Sequence, residues 1–205
     1  LTYSNAGTPM VFWVKSGEQF ALHLLDIDKG LLVRLLPSPP YRVLNAPQLT
    51  RDGERTLFEV ERDGERALFL LDQYGNVRYE QARSIGIRHP IWSPDGQEIA
   101  YWATTDGFWR FYHMSQDGGQ PELLSDTVGL VPYTYPLWSP DGRYILYRIW
   151  VAERGSSIYL LDTHSGQTRL PGEALSAAGD LIWSPDGRWL AYRSERSRNG
   201  EIHVL

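Results

Sequence analysis

The chain has 205 residues and a formal net charge of -5 spread along its length. That is ample for one sizeable core, and too mild and too dispersed to make nucleic acid or an acidic membrane the main partner. There is no cysteine, which excludes disulfides and thiolate metal sites and is compatible with any compartment.

No apolar run approaches the ~18 residues of a membrane span, and no segment reads as a signal. Leu1 in place of an initiator Met reads as a trimmed or processed end. Lys15 and Lys29 are the only lysines among 20 basic residues, a balance that reads as a GC-rich genome.

In chain order, the first strands are Val11-Phe-Trp-Val14, Ala21-Leu-His-Leu-Leu25 and Leu31-Leu-Val-Arg-Leu-Leu36. They read as a unit lacking its first strand. Asp26-Ile-Asp28-Lys-Gly30 begins like a calcium loop but lacks the later ligands and the terminal Glu, so it reads as a solvated turn. Leu49-Thr-Arg-Asp-Gly53 is a turn followed by the strand Thr56-Leu-Phe-Glu-Val60. Ala67-Leu-Phe-Leu-Leu-Asp72 is apolar enough for burial on both faces.

Three near-identical units follow. Trp92-Ser-Pro-Asp-Gly96, Trp138-Ser-Pro-Asp-Gly142 and Trp183-Ser-Pro-Asp-Gly187 lie 46 and 45 residues apart. The Leu49 segment stands 43 residues before the first of them, as a worn copy. Each motif leads into a short strand: Glu98-Ile-Ala-Tyr-Trp102, Tyr144-Ile-Leu-Tyr-Arg148 and Trp189-Leu-Ala-Tyr-Arg193. Third strands follow at Trp109-Arg-Phe-Tyr-His-Met114 and Ser157-Ile-Tyr-Leu-Leu-Asp162. A turn at Thr163-His-Ser-Gly166 precedes a short last strand, Thr168-Arg-Leu170. The final unit ends with Glu201-Ile-His-Val-Leu205.

In Ser-Pro-Asp-Gly, Pro presets φ and Gly accepts a positive φ, so the motif predicts a type I turn closing a hairpin with a glycine bulge. The Trp before it is large enough to pack between neighbouring sheets. Four strands repeating every ~40–45 residues predict an all-β β-propeller of four-stranded antiparallel blades. One blade cannot bury both of its faces, and stacked neighbours can. The expectation is one domain over residues 1–205 with five blades, approximately 1–40, 41–84, 85–127, 128–173 and 174–205. The ring either closes at the joined termini or is part of a larger ring.

These strings, Trp-Ser-Pro-Asp-Gly with the strand after it and then Ile-Tyr-Leu-Leu-Asp with a Gly turn, resemble the TolB-like family of WD-type propeller repeats. The resemblance covers roughly residues 11 to 205 and is strongest in the last three units. It implies the propeller fold and, by default, an interaction role in a bacterial protein, either extracytoplasmic or cytoplasmic. The same repeat occurs in propeller domains of prolyl-oligopeptidase-like enzymes and in bacterial sensors. The TolB type usually has six blades, whereas this chain supplies at most five.

The residues offer little catalytic chemistry. Asp52, Asp95, Asp141 and Asp186 repeat at equivalent turn positions, where an Asp caps backbone N–H groups of its own turn. His23, His113 and His203 fall in third strands and His164 in a turn. His89, three residues before Trp92, is the histidine placed best for a site. There is no Gly-x-Ser-x-Gly elbow or Gly-x-Gly-x-x-Gly loop, and Ser156 and Ser157 have no local base. Paired carboxylates from distant blades are not favoured by any spacing. The reading is a non-enzyme with no metal and no cofactor.

What varies between units is one end of the ring. The positions three before each Trp or its Leu equivalent are Ala46, His89, Tyr135 and Asp180. Asn45, Arg88, Tyr133, Thr134 and Gly179 flank them. The loops between second and third strands add Thr105, Asp106, Phe108 and Trp109, then Glu153 and Arg154, then Arg196, Arg198 and Asn199. A rigid frame with one diversified end behaves as a binding surface, and aromatic and Arg side chains are the usual anchors. The candidate set is Asn45, Arg88, His89, Phe108, Trp109, Tyr133, Tyr135, Arg154, Asp180 and Arg196. Ordinary solvated loops are the alternative.

The expected function is a non-catalytic interaction, sensor or scaffold domain of a larger protein. Its partner would be a protein or peptide, without nucleic acid and without membrane insertion. A substrate-gating propeller of a prolyl-oligopeptidase-like serine peptidase is the second reading. A glycan-binding propeller is the third, although most of the aromatics sit at repeat-equivalent strand positions that packing explains.

Overall fold

The turns that punctuate the repeats are each held by the same hydrogen bonds. In Ser93-Pro-Asp-Gly96, Gly96 N donates to Ser93 O at 2.9 Å with Gly96 at φ +70°, which makes the type I turn. Ser93 Oγ donates to Asp95 Oδ1 (2.6 Å), which also accepts Gln97 N (3.0 Å), while Ser93 Oγ accepts Glu98 N (2.9 Å). Ser139 with Asp141 and Ser184 with Asp186 repeat this set. In the worn copy Thr50 and Asp52 reproduce it, because Thr keeps the hydroxyl that Ser supplies. The acidic residues of the repeat are thus turn caps. Gly53 is held here for a second reason, since a Cβ would stand 2.1 Å from Pro9 Cδ of the first sheet.

The computed structural model describes residues 2–3, 9–16, 19–35, 42–84, 86–105, 107–129, 131–132, 134–152, 155–171, 175, 178–194 and 200–205. They form five antiparallel sheets, and among the described residues there is no α-helix. The first sheet is β1 (Thr2–Tyr3), β2 (Met10–Ser16), β3 (Gln19–Asp26) and β4 (Leu31–Arg34). The second has β5 (Arg42–Val43) and β6 (Gln48–Leu49) as two pieces of one innermost strand, then β7 (Arg55–Arg62), β8 (Glu65–Asp72) and β9 (Val77–Ser84). The third is β10 (Ile87–Trp92), β11 (Glu98–Thr105), β12 (Phe108–Ser115) and β13 (Glu122–Gly129). The fourth again splits its innermost strand, into β14 (Val131–Pro132) and β15 (Leu137–Trp138), before β16 (Tyr144–Val151), β17 (Gly155–Asp162) and β18 (Thr168–Arg169). The fifth is β19 (Ala178–Trp183), β20 (Leu190–Ser194) and β21 (Ile202–Val204).

One register rule stacks the sheets. In the third, Ile91, Ala100 and Trp102 face Ile145, Tyr147 and Ile149 of the fourth. The equivalent Leu57 meets Ile99 and Tyr101 one sheet earlier, and Leu146 meets Leu190 and Tyr192 one sheet later. Val11 meets Phe58 and Val60 at the first junction. Strand β8 is buried on both faces from Ala67 to Asp72, as its apolar run predicts. The repeat Trp residues also tie neighbours together: Trp92 Nε1 donates to Gln48 O (3.3 Å) and Trp183 Nε1 to Leu137 O (3.4 Å). Trp138 departs from this and donates to Gly142 O of its own turn at 2.8 Å.

One expectation about the ends changes. The first sheet does have an inner strand, β1, which pairs with β2 through Thr2–Val11 and Tyr3–Met10. Strand β1 is therefore committed to its own blade and does not complete the fifth sheet, which has three strands. The apolar clusters join successive sheets, and among the described residues none joins the fifth to the first. The face of the fifth sheet that the register rule turns toward a next blade is open, with Ile182 67% and Ile202 78% exposed.

Candidate functional site

All four innermost strands of the second to fifth sheets break register at the same place. Residues 44–47 stand opposite only 58–59, and 134–136 opposite only 147–148. His89 and Pro90 oppose Tyr101 alone, and Gly179 and Asp180 oppose Arg193 alone. These are β-bulges, which re-aim side chains. Pro90 and Pro47 sit in them, where no ladder N–H is required. His89 adopts φ +53°, a left-handed conformation uncommon outside glycine.

The bulges hold the sequence-predicted positions of the innermost strands, and each strand resumes beyond its bulge. Ala46, His89, Tyr135 and Asp180 thereby occupy equivalent places in four successive blades, with Asn45 next to Ala46. Asn45, His89 and Tyr135 touch. Tyr135 hydrogen-bonds Asn45, reaching from the fourth blade to the second. The His89 ring lies edge-on to the Tyr135 ring with centroids 4.6 Å apart.

Beneath them lies a carboxylate the sequence reading passed over. Glu59, 3% exposed, sits in the middle of β7. Its Oε1 accepts Arg66 Nη1 at 2.6 Å, and its Oε2 accepts Asn45 Nδ2 at 3.0 Å and His89 N at 3.4 Å. Glu59 N in turn donates to Asn45 Oδ1 at 3.2 Å. The signal was present in Leu57-Phe-Glu-Val60: a lone carboxylate in a strand apolar enough for burial on both faces. Arg66 lies one hairpin away and carried no signal of its own.

The electrostatics follow from this burial. Desolvation pushes Glu59 above the ordinary carboxylate range, against the opposing pull of Arg66. Burial, with the charges of Arg88 and Arg66, lowers His89 to about 4, so its imidazole is neutral near pH 7. Burial and the Glu59 charge push the Tyr135 hydroxyl upward, opposed by its bond to Asn45.

The other predicted residues separate. Arg88 stacks over the Trp109 ring at 5.2 Å. Trp109 itself is buried between the third and fourth blades and acts as the platform for Arg88; it is not a surface anchor. Phe108 is exposed at the tip of the β11–β12 hairpin. The Asp180 side chain is 93% exposed and pairs with Arg193 Nε at 3.6 Å. Tyr133, Arg154 and Arg196 lie outside the described residues.

Beside Tyr135 and Asp180 is a cavity of about 210 Å³, lined also by Leu137, Tyr147, Arg148 and Leu181. A larger one of about 590 Å³ opens at the opposite end, among the Ser-Pro-Asp-Gly turns, with Arg51, Glu98, His113 and Trp138 on its wall. Its two aspartates, Asp95 and Asp141, are already engaged in their own turns. Among the described residues no three His, Cys, Asp or Glu side chains group as metal ligands. Nor, among the described residues, is any helix long and apolar enough to cross a membrane.

Stacked antiparallel sheets with one shared register, four of them broken at the same point of the innermost strand, define the β-propeller fold. No protein-family model matches the chain, and no curated protein does. Solved structures carry the resemblance. TolB from Acinetobacter baumannii aligns with a TM-score of 0.70 at 19% identity, over 97% of this chain and 53% of that one. The β-propeller domain of the trilobed protease from Pyrococcus furiosus gives 0.73 at 14% identity, over 98% and 63%. An oligogalacturonate lyase in complex with manganese gives 0.71 at 16% identity, over 99% and 60%. At these identities the similarity shows the fold. The chain spans between about half and two thirds of the length of these proteins.

Proposed function

We propose that this chain is a non-catalytic propeller that binds a protein or peptide at the bulge-lined end of its channel, as a domain of a larger protein. The observation that carries the reading is the contrast between frame and bulge. Turn caps and inter-sheet contacts repeat from blade to blade, while the bulges present four unlike residues, Ala46, His89, Tyr135 and Asp180, of which Tyr135 and Asp180 line an open cavity. A side-chain-sized cavity with an aromatic wall and a few polar groups suits one anchoring residue of a partner.

Non-catalytic function is supported by what the polar groups already do. Both Glu59 oxygens are engaged by Arg66, Asn45 and the His89 backbone, which leaves the carboxylate poorly placed as a general base. His89 Nδ1 is buried without a partner, so no carboxylate orients this ring as a catalytic base would require.

The test is partner capture with Asp180→Lys and Tyr135→Ala, each compared with the unmodified chain. Loss of a captured protein in both variants is expected. Retention in both places the interaction elsewhere. The similarity to a protease propeller keeps substrate gating as the second reading. A Gly-x-Ser-x-Gly elbow with later Asp and His in the flanking coding sequence would decide for it.

A further inference from the structure

The junction between successive sheets is made four times in this molecule, and it has two unlike halves. Toward the preceding sheet, the second to fifth sheets each turn a pair of stacked rings from their second and third strands. The pairs are Phe58 with Phe69, Tyr101 with Tyr112, Tyr147 with Tyr159, and Tyr192 with His203. Toward the following sheet, the third sheet turns Ile91, the residue before its repeat Trp, and Phe111 of its third strand.

The first and fifth sheets each carry one half of this junction open to solvent. In the first sheet Val11 faces the second sheet, so Met10, Phe12 and Val14 alternate onto the opposite face. They pair there with Leu25, His23 and Ala21, and the Phe12 and His23 rings stack at 5.9 Å as Phe58 and Phe69 do. His23 and Phe69 each stand three residues before a turn-capping aspartate, Asp26 and Asp72, which makes the two positions equivalent. Val60 in the second sheet is 1% exposed, whereas its equivalent Val14 is 39% exposed. In the fifth sheet Ile182 and Ile202 hold the places of Ile91 and Phe111. Ile182 precedes the repeat Trp, and Ile202 stands opposite Arg193 as Phe111 stands opposite Trp102. Ile91 and Phe111 are 8% and 0% exposed, against 67% and 78% for Ile182 and Ile202.

We propose that the fifth sheet docks the first sheet of a second copy of this chain, head to tail, with the Phe12–His23 ring pair seated on Ile182, Ile202 and Val204. The chain's own first sheet does not fill that place, since among the described residues no apolar cluster joins the fifth sheet to the first. The matching face is open on another copy, where docking repeats a contact the molecule already makes at four junctions. It also removes from water the apolar surface that each sheet exposes alone. The two faces differ, so the contact is heterologous. Each copy keeps one half free for the next, and association runs on unless the rotation closes a ring. This interface does not depend on what binds at the bulges.

The test is sedimentation equilibrium of the 205-residue chain and two variants, with circular dichroism melts to establish that each is folded. Ile202→Glu with Val204→Glu blocks the fifth-sheet face. Phe12→Glu with Val14→Glu blocks the first-sheet face. Both changes add negative charge, so the two blocked faces repel each other. The unmodified chain is expected to form oligomers as its concentration rises. Each variant alone should be monomeric over the same range, with self-association weakened about tenfold or more. An equimolar mixture of the two should form a 1:1 heterodimer and stop there, because each variant retains the half that the other has lost. If Phe12→Glu with Val14→Glu is not folded, Val14→Glu alone takes its place.

Three results overturn the proposal. An unmodified chain that stays monomeric throughout leaves the fifth-sheet face to a different occupant, or to the chain's own first sheet. A first-sheet variant that self-associates as the unmodified chain does shows fifth sheet meeting fifth sheet in a symmetric dimer. Two monomeric variants whose mixture is also monomeric show that the faces do not fit each other.

Discussion

At the scale of the residue, the same acidic side chain has opposite meanings in two places. Asp95 is held below the usual carboxylate range, first by the Ser93 hydroxyl and then by Gln97 N. A depressed carboxylate contributes stability that is present above its unfolded value and lost as pH falls through the folded one. Replacing Asp95 with Ala should therefore destabilise the chain by about 1 kcal/mol, discounted for exposure, and flatten the acid limb below about pH 4 in urea melts. His89 gives a second pH signature. Its folded value of about 4 lies under the unfolded 6.5. Between those values the unfolded chain binds more protons, so stability should fall as pH drops from 6.5 toward 4. His89→Asn tolerates the positive φ and should remove that slope, which chemical denaturation at pH 7 and pH 5 would show. Glu59, raised by burial, runs the other way and weakens the fold as pH rises through its folded value.

At the scale of the element, the second strands carry both the stacking and the variation. Trp102, Glu59, Arg148 and Arg193 hold equivalent positions in four blades, as the registers of β7, β11, β16 and β20 show. Trp102 is fully buried, with the Phe111 and Tyr147 rings at 4.8 and 5.1 Å. Trp102→Ala should cost about 3–5 kcal/mol in equilibrium unfolding, since the packed third and fourth blades cannot collapse into the space. The strands after each turn were legible because turn chemistry and alternation agree there. Leu49-Thr-Arg-Asp-Gly53 was legible because Asp52-Gly53 survived. The bulges were not, because nothing local distinguishes a bulge from a loop. Glu59 was hidden for a related reason: its partners Arg66 and Asn45 belong to other strands, and pairing across strands leaves no mark on a single segment. Trp109 was taken for a surface anchor because a hairpin end looks exposed in sequence, whereas the next blade covers it.

At the scale of the whole molecule, one face of the fifth sheet is bare. On the fifth sheet Ile182, Trp189, Ile202 and Val204 are all more than half exposed, at 67%, 54%, 78% and 61%. Contiguous apolar surface of this kind favours association. The isolated 205-residue chain should therefore self-associate at high concentration, and Ile202→Glu with Val204→Glu should return sedimentation to the monomer. This face is separate from the channel end, which gives the central claim a clean control. The most direct measurement is quantitative affinity capture, read by mass spectrometry, with four baits: the unmodified chain, Asp180→Lys, Tyr135→Ala, and Arg51→Glu at the opposite end. The account predicts a protein enriched by the unmodified chain and by Arg51→Glu, and lost from the two channel-end variants. Loss with Arg51→Glu and retention with Asp180→Lys and Tyr135→Ala would contradict it, and would move the binding surface to the turn end of the propeller.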